Sequence, residues 1–282
     1  MDKLGKASRR VVPGKEQFEV IGRSARHPLW WLPDPVANQE EAYRRIWQNL
    51  RTITEVRDGR HDDEQWHSHA GRFAMCCLRI PSSALTPAYA DLQAALVQFP
   101  FVRKHPDSFL HVPIQEIGYL VDEPRQRDEL TQTQLEEFID LAERPLIDFP
   151  QFNIQLGPVN SFADAAFLDV HDNGWLSRIH RRLIDFATVP PSTRFAYVPH
   201  VTIAHYDRVA PVGNLAAVLT DWRDQVMGTF VAQHIDVVLL KTSETFPPFE
   251  LAHSFPLGST RATGEIPIRP TYGAENIDLH SG

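Results

Sequence analysis

Cysteine is almost absent: there are two in 282 residues, and those two are the neighbours Cys76 and Cys77. Consecutive strand residues point to opposite faces, so the pair is poorly placed for a mutual disulfide, and nothing asks for an oxidising compartment. Long apolar runs are missing too. No stretch reaches the ~18 apolar residues of a membrane span, and the opening "MDKLGKASRRVVPGKEQ" carries charge but no apolar segment of signal-peptide length. The expectation is a cytoplasmic protein without membrane contact. Positive charge is the third shortage. Lys and Arg number 28 against 36 Asp and Glu, a formal net charge of −8. A protein that coats nucleic acid draws most of its affinity from a broad basic surface, and this balance argues against one. A small anionic substrate, or an RNA end held in a local basic cleft, fits it.

With 43% hydrophobic residues the chain can bury one large core or two small ones, and it reads as one compact domain with extensions. "RFAMCCLRI" (72–80) is a buried strand, and "LTPAYADLQAALVQF" follows as a helix with Thr86 as N-cap and Pro87 in first position. "TQLEEFIDLAERP" sets Thr133 and Glu136 at capping-box spacing and is expected to stop before Pro145; "QFNIQLG" (151–157) is the next strand. The order then repeats. A strand "AAFLDV" (165–170) leads into a helix over 173–187 with Leu176, Ile179 and Leu183 on one face. A helix "NLAAVLTDWRDQV" and the strands "TFVAQHIDVVLLKT" and "ELAHSFPL" close the domain.

The middle strand of each half carries a histidine. "AYVPHVTIAHYD" sets His200, Thr202 and Ala204 on one face and Val201, Ile203 and His205 on the other, with Tyr206 back on the His200 face, where it can stack a base or, as strand-end aromatics more often do, simply fill the core. "FLHVPIQEIGYL" sets His111 in the same apolar frame, 89 positions earlier. Two imidazoles titrating near neutrality can serve as acid and base together. Each half thus reads strand, helix, His strand, helix, strand. The fold class expected is α+β: two lobes related by a pseudo-two-fold axis, mainly antiparallel sheets lining a central cleft, helices outside.

"HVTI" at 200–203 and "HVPI" at 111–114 resemble the paired His-x-Thr/Ser-x strands of the 2H phosphoesterases, the 2′-5′ RNA ligase-like or cyclic phosphodiesterase superfamily. The matching order of elements runs over residues 71–258. The resemblance implies His111 and His200 as catalytic residues and Thr202 as a phosphate-gripping hydroxyl. It implies RNA ends, oligonucleotides or cyclic nucleotides as substrates, and requires no metal or cofactor. Pro113 departs from the pattern, because it stands where the first strand's hydroxyl would be. It removes a donor, and lacking an N–H it must sit at an edge or a bulge. Gln115, next on the same face by strict alternation, can reach the phosphate in its stead. Two other readings stay open: a binding module whose catalysis Pro113 has weakened, and a scaffold whose N-terminal helix recruits a protein.

Around this centre, "RHDDEQWHSH" (60–69) is a solvated loop or, through its histidines and carboxylates, a divalent-metal site. Arg103, Lys104, Arg208 and Lys241 are phosphate partners or solubilising charges; "RIHRR" (178–182) is a solvated helix face or, less favoured, an RNA contact. Residues 1–65 form an N-terminal extension containing "HPLWWLPDP" and one amphipathic helix. In that helix Asn38 and Glu41 offer capping, and Tyr43, Ile46, Trp47 and Leu50 form a stripe that docks on the domain or on a partner. Residues 66–258 form the domain. The tail 259–282 is Pro- and Gly-bearing, poor in apolar residues and expected to be extended or disordered.

Overall fold

The computed structural model describes residues 35–60, 62, 64–69, 71–187 and 196–258, so residues 1–34, with nearly all of "HPLWWLPDP", and the tail lie outside the described residues. In chain order the elements are α1 (Pro35–Leu50), β1 (Glu55–Val56), α2 (Glu64–Ser68), β2 (Arg72–Arg79), α3 (Pro87–Leu96), β3 (Val102–Lys104), β4 (His111–Leu120), β5 (Glu129–Leu130) and α4 (Gln132–Ile147). They continue with β6 (Phe152–Ser161), β7 (Ala165–His171), α5 (Trp175–Ile184), β8 (His200–Tyr206), β9 (Ala210–Pro211), α6 (Leu215–Thr220), β10 (Gly228–Ala232), β11 (His234–Lys241) and β12 (Glu250–Pro256).

Two five-stranded sheets carry the fold, in the orders β12-β11-β2-β4-β5 and β10-β6-β7-β8-β3. Their ladders are antiparallel except β4–β5. The protein is therefore α+β with mainly antiparallel sheets, and the repeat survives with an exchange. The first half places β2 and β4 in one sheet and sends β6 into the other; the second half places β7 and β8 there and returns β11 to lie beside β2. The run "TFVAQHIDVVLLKT" is consequently two strands rather than one. It breaks at Gln233, with β10 pairing β6 and β11 pairing β2.

Local chemistry accounts for the helices. Thr86 stands at the N-cap position of α3 in extended conformation, its hydroxyl donating to the Val226 carbonyl rather than to the helix, with Pro87 at the helix start, and Leu92 and Leu96 are buried. On α4 the capping box is Thr131 with Gln134, two residues before the pair read from spacing, because the helix begins at Gln132. That helix also runs through Pro145 to Ile147. The carbonyl that loses its donor belongs to Leu141, an exposed residue, so water can replace the bond. The helix α6 is shorter than its apolar spacing suggests, ending at Thr220 and giving way to turns. Behind the sheets α5 packs on β4, α4 on β12, and the two helices on each other.

The main core is continuous across both sheets and the helices, including Cys76, Val112, Ile114, Leu168, Val201 and Leu183. A second cluster lies on the other face of the first sheet, with Trp66, Met75, Cys77, Phe109 and Tyr119. The adjacent cysteines thus part to opposite faces, both free, and burial pushes both thiols up. Among the described residues no helix is long and apolar enough to cross a membrane.

Candidate active site

His111 and His200 each open their strand, and each is anchored in the same way. The Nδ1–H of His111 donates to the carbonyl of Phe109 at 2.8 Å, and that of His200 to the carbonyl of Val198 at 2.8 Å. A carbonyl only accepts, so Nδ1 carries the hydrogen in both rings and Nε2 is the nitrogen that gains or loses a proton. Each imidazole also meets two phenyl rings edge to face. Phe109 and Phe249 flank His111 at 5.3 Å each, and Phe162 and Phe167 flank His200 at 5.3 and 5.5 Å. Burial lowers the His200 pKa, against the opposing bond to Val198.

Both His strands bulge at the same place. On β4, Pro113 pairs with Cys77 but Gln115 pairs with Cys76, so Ile114 is the extra residue; on β8, Thr202 pairs with Phe167 but Ala204 pairs with Ala166, so Ile203 is. Cross-strand partners share a face, and the bulge inverts the alternation beyond it. Pro113 therefore sits as a strand proline must, beside a ladder break, with β5 joining β4 only at Tyr119 and Leu120.

Two of the expected placements change for that reason. Gln115 leaves the His111 face for that of Cys76; it is buried, its Nε2 donating to the Glu116 carbonyl, so it does not stand beside His111 and Pro113. Tyr206 is likewise turned into the core, fully buried, with its hydroxyl bonded to Ser161 at 2.6 Å, and it presents no ring to a ligand. In its place the bulge returns His205 to the face of His200 and Thr202, opposite Ala165. Thr202 keeps its expected side and is half-buried. On β4 the corresponding residue is Glu116, which pairs with Met75 on the His111 face.

A chain of rings joins the two faces. His205 Nδ1 meets His105 Nε2 at 2.8 Å, His105 lies 5.6 Å from Phe109, and Phe109 lies against His111. Phe246 touches both His105 and Phe109. Strands β4 and β8 themselves pack against each other. Three further bonds reach these strands from the opposite half of the chain. The Tyr197 hydroxyl donates to the Pro113 carbonyl at 3.1 Å, His180 on α5 donates to the Ile114 carbonyl, and Gln93 on α3 reaches the Ile203 carbonyl at 3.4 Å. Tyr197 and His180 stack at 4.0 Å, and burial takes His180 down to about 4, a neutral ring. Each bulge carbonyl is thus held by a side chain from the helix that follows the other half's first strand.

The helix α1 docks on the domain, beside His200. It begins at Pro35, so Asn38 lies within it and Glu41 pairs with Arg44 and Arg45 instead of capping. The Tyr43 hydroxyl bonds the Val170 carbonyl at 3.0 Å, the Val170 N–H at 3.1 Å and the carbonyl of Pro199, the residue before His200. Gln39 reaches Val170 and Asp172, and Glu40 pairs with His171 at 2.7 Å. Under the helix, directly opposite His200 in the ladder, Asp169 accepts from Asn160 at 3.0 Å and lies 3.7 Å from Arg223. Burial outweighs these contacts and raises its carboxyl to about 7.

The segment 60–69 is not the expected solvated loop: it contains α2, with Trp66 and His69 buried, and its side chains have other partners. Asp62 holds Arg103 through two bonds of 2.9 and 2.8 Å, His67 bonds the Thr242 carbonyl, and His69 stacks on Tyr119 at 3.7 Å; His61 and Asp63 lie outside the described residues. Among the described residues no group of three potential ligands is placed to hold a metal ion. Arg208 is taken by Asp207 and the Pro100 carbonyl, Lys241 lies near Glu244 and Glu250, and Lys104 is exposed.

The sequence model of the 2′-5′ RNA ligase superfamily matches residues 105–242, a span holding both His strands. That match covers a little under half of the chain. Among solved structures, it resembles TT0787 of Thermus thermophilus at 17% identity, covering 66% of this chain and 98% of that one with a TM-score of 0.45. Escherichia coli LigT complexed with phosphate gives 12% identity, 66% and 98% coverage and a TM-score of 0.45. A conserved protein of unknown function, ATU0111 from Agrobacterium tumefaciens, gives 13% identity, 73% and 86% coverage and a TM-score of 0.45. No curated protein matches the sequence.

Proposed function

We propose that the protein is a metal-independent phosphodiesterase, hydrolysing 2′,3′-cyclic phosphate or 2′-5′ phosphodiester bonds of RNA ends or oligonucleotides in the cytoplasm. The observation that supports this most is the common anchoring of His111 and His200, each at the start of its strand with Nδ1 fixed and Nε2 left to move a proton. Opening a cyclic phosphate needs water to lose a proton as it attacks phosphorus and the departing ribose oxygen to gain one. Two imidazoles supply both transfers, each worth on the order of 10²–10⁴-fold. The lowered pKa of His200 keeps it neutral and suits it to be the base, which leaves the acid to His111. Thr202, on the His200 face, grips a non-bridging oxygen as charge concentrates there.

A second reading rests on Pro113, which supplies no donor on the first strand: a module that binds RNA ends or cyclic nucleotides with little turnover. One experiment separates the two. Incubation with a 2′,3′-cyclic nucleotide and with a 2′-5′ dinucleotide, each in EDTA, is expected to give nucleoside monophosphate products. Binding without turnover would replace the hydrolase by the binding module.

A further inference from the structure

His111 and His200 differ in what stands beside them. In each sheet one residue lies directly opposite the histidine on the neighbouring strand: Asp169 on β7 beside His200, and Arg79 on β2 beside His111. Asp169 is sealed under α1 with Arg223 near it, whereas the Arg79 side chain is 41% exposed. Arg79 is open, yet it is held. Its Nε donates to Asp236 on β11 at 2.5 Å, and Asp236, 1% exposed, accepts through its other oxygen from the Ser254 hydroxyl at 2.7 Å. Among the described residues Nε alone is engaged in this way, which leaves both terminal amines of the guanidinium to donate elsewhere. An exposed arginine ordinarily samples many rotamers. A buried carboxylate on Nε fixes this one and aims a planar fork whose spacing matches two oxygens of a phosphate.

Position decides which phosphate. The Leu110 carbonyl accepts from the Ile80 N–H at 3.0 Å, so Leu110 turns its backbone groups toward β2, and His111 and Pro113 turn theirs to the opposite edge of β4. On that edge Tyr197, just before β8, meets the Pro113 carbonyl. His200, His111 and Arg79 therefore stand in that order, with His111 in the middle. A phosphate held between the imidazoles lies on one side of His111 and the guanidinium on the other. With His111 as the acid, the ribose whose oxygen departs lies on its side of the phosphate. Beyond that ribose the next anionic group is the same nucleotide's 5′-phosphate.

We infer that Arg79 binds the 5′-phosphate of the nucleotide whose 2′,3′-cyclic phosphate is opened, which makes the 3′ end of an RNA chain a better substrate than a nucleoside cyclic phosphate. This rests on the proposal that the reacting phosphate lies between His111 and His200. The closed flank agrees with it: α1 and the buried Asp169 occupy the side beyond His200, and the open, cationic flank is the one beyond His111. The formal net charge of −8 repels a second phosphate unless a placed cation meets it, so a gain in affinity from that phosphate is a specific signal.

The test is equilibrium binding of adenosine 3′-monophosphate and adenosine 3′,5′-bisphosphate to the full chain, read by calorimetry, for wild type, Arg79→Gln and Arg79→Lys. Hydrogen bonds to a charged group correspond to roughly ten- to a hundredfold in affinity, so wild type is expected to prefer the bisphosphate by at least about tenfold. Arg79→Gln is expected to bring the two ligands within about threefold by weakening the bisphosphate alone. Arg79→Lys keeps a cation for Asp236 but not the fork, and its preference is expected to fall between the two. Equal binding of the two ligands by wild type overturns the inference without recourse to any variant. So does a wild-type preference that both variants retain in full, or a variant that weakens both ligands equally. Turnover of adenosine 2′,3′-cyclic phosphate, with and without a 5′-phosphate, is measured alongside. Preference without turnover removes the hydrolase reading and leaves Arg79 as a phosphate site; turnover without preference does the reverse.

Discussion

Replacing Asp169 by Asn removes a buried charge without removing its shape. The side chain is 1% exposed, so its pKa is a statement about folding rather than about surface solvation. The folded value of about 7 lies above the ordinary 3.8, and burial is the main cause. A raised carboxyl contributes stability that is fully present below its unfolded pKa and is lost as pH rises through the folded one. About three units at 1.36 kcal/mol each give roughly 4 kcal/mol over the whole range, of which roughly 2–3 kcal/mol falls between pH 5 and pH 8. Asn keeps the oxygen that accepts from Asn160 and titrates nowhere in this window. The measurement is urea unfolding of both proteins across that range. Asp172, Asp164 and Glu116, whose pKa values are also raised by burial, are common to both and cancel in the difference. Asn is expected to gain on wild type steadily as pH rises, by roughly 2–3 kcal/mol in all. A difference between the two proteins that stays constant from pH 5 to pH 8 would refute a buried, protonating Asp169.

The remaining expectations concern the site. In the active enzyme His111→Ala and His200→Ala each lose most turnover, and the double variant loses little more, since groups acting as a unit are not additive; steady-state kinetics of the three variants decides it. Because the His200 pKa is lowered, the acid limb of kcat against pH should lie below the ordinary imidazole value of about 6.5, and an acid limb above it would contradict His200 as base. Tyr197→Phe keeps the stack on His180 but loses the bond to Pro113; kcat is expected to fall by about tenfold with KM and Tm little changed, and an unchanged kcat would exclude a role in aligning the strands. Pro113→Thr restores a hydroxyl and is expected to raise kcat/KM by up to about tenfold, measured on a 2′,3′-cyclic nucleotide.

The histidine pair and the doubled order of elements are legible in the sequence, because strand alternation and helix spacing are local signals. The bulges are not. An apolar Ile114 or Ile203 fits an uninterrupted strand as well as a bulged one, and only Pro113, with no N–H to give, hints at the break on β4. Nothing hints at it on β8, so alternation carried past Ile203 assigns His205 and Tyr206 to the wrong faces. The exchange of β6 and β11 is equally hidden, since Gln233 is one polar residue in a run that reads as a single strand. Likewise Tyr43, Tyr197 and His180 read as ordinary stripe, loop and helix residues. Their bonds run to carbonyls far along the chain, and no local pattern encodes those.

The exchange of β6 and β11 bears on how the molecule can move. A two-lobed protein ordinarily owns a hinge, a line across which few backbone bonds run, and can open there around a ligand. Here each sheet is stitched from both halves, with β6 laddered along β7 and β11 along β2. Parting the halves would mean breaking those ladders outright, a sub-global unfolding rather than a rigid-body swing. The two halves of the chain therefore cannot swing apart as units; what can shift is one sheet against the other, since among the described residues no ladder joins the two five-stranded sheets. His111 and His200 stand on different sheets, so packing and side-chain bonds such as those from Tyr197 to Pro113 and from His180 to Ile114, rather than a ladder, hold the two imidazoles in relation to each other.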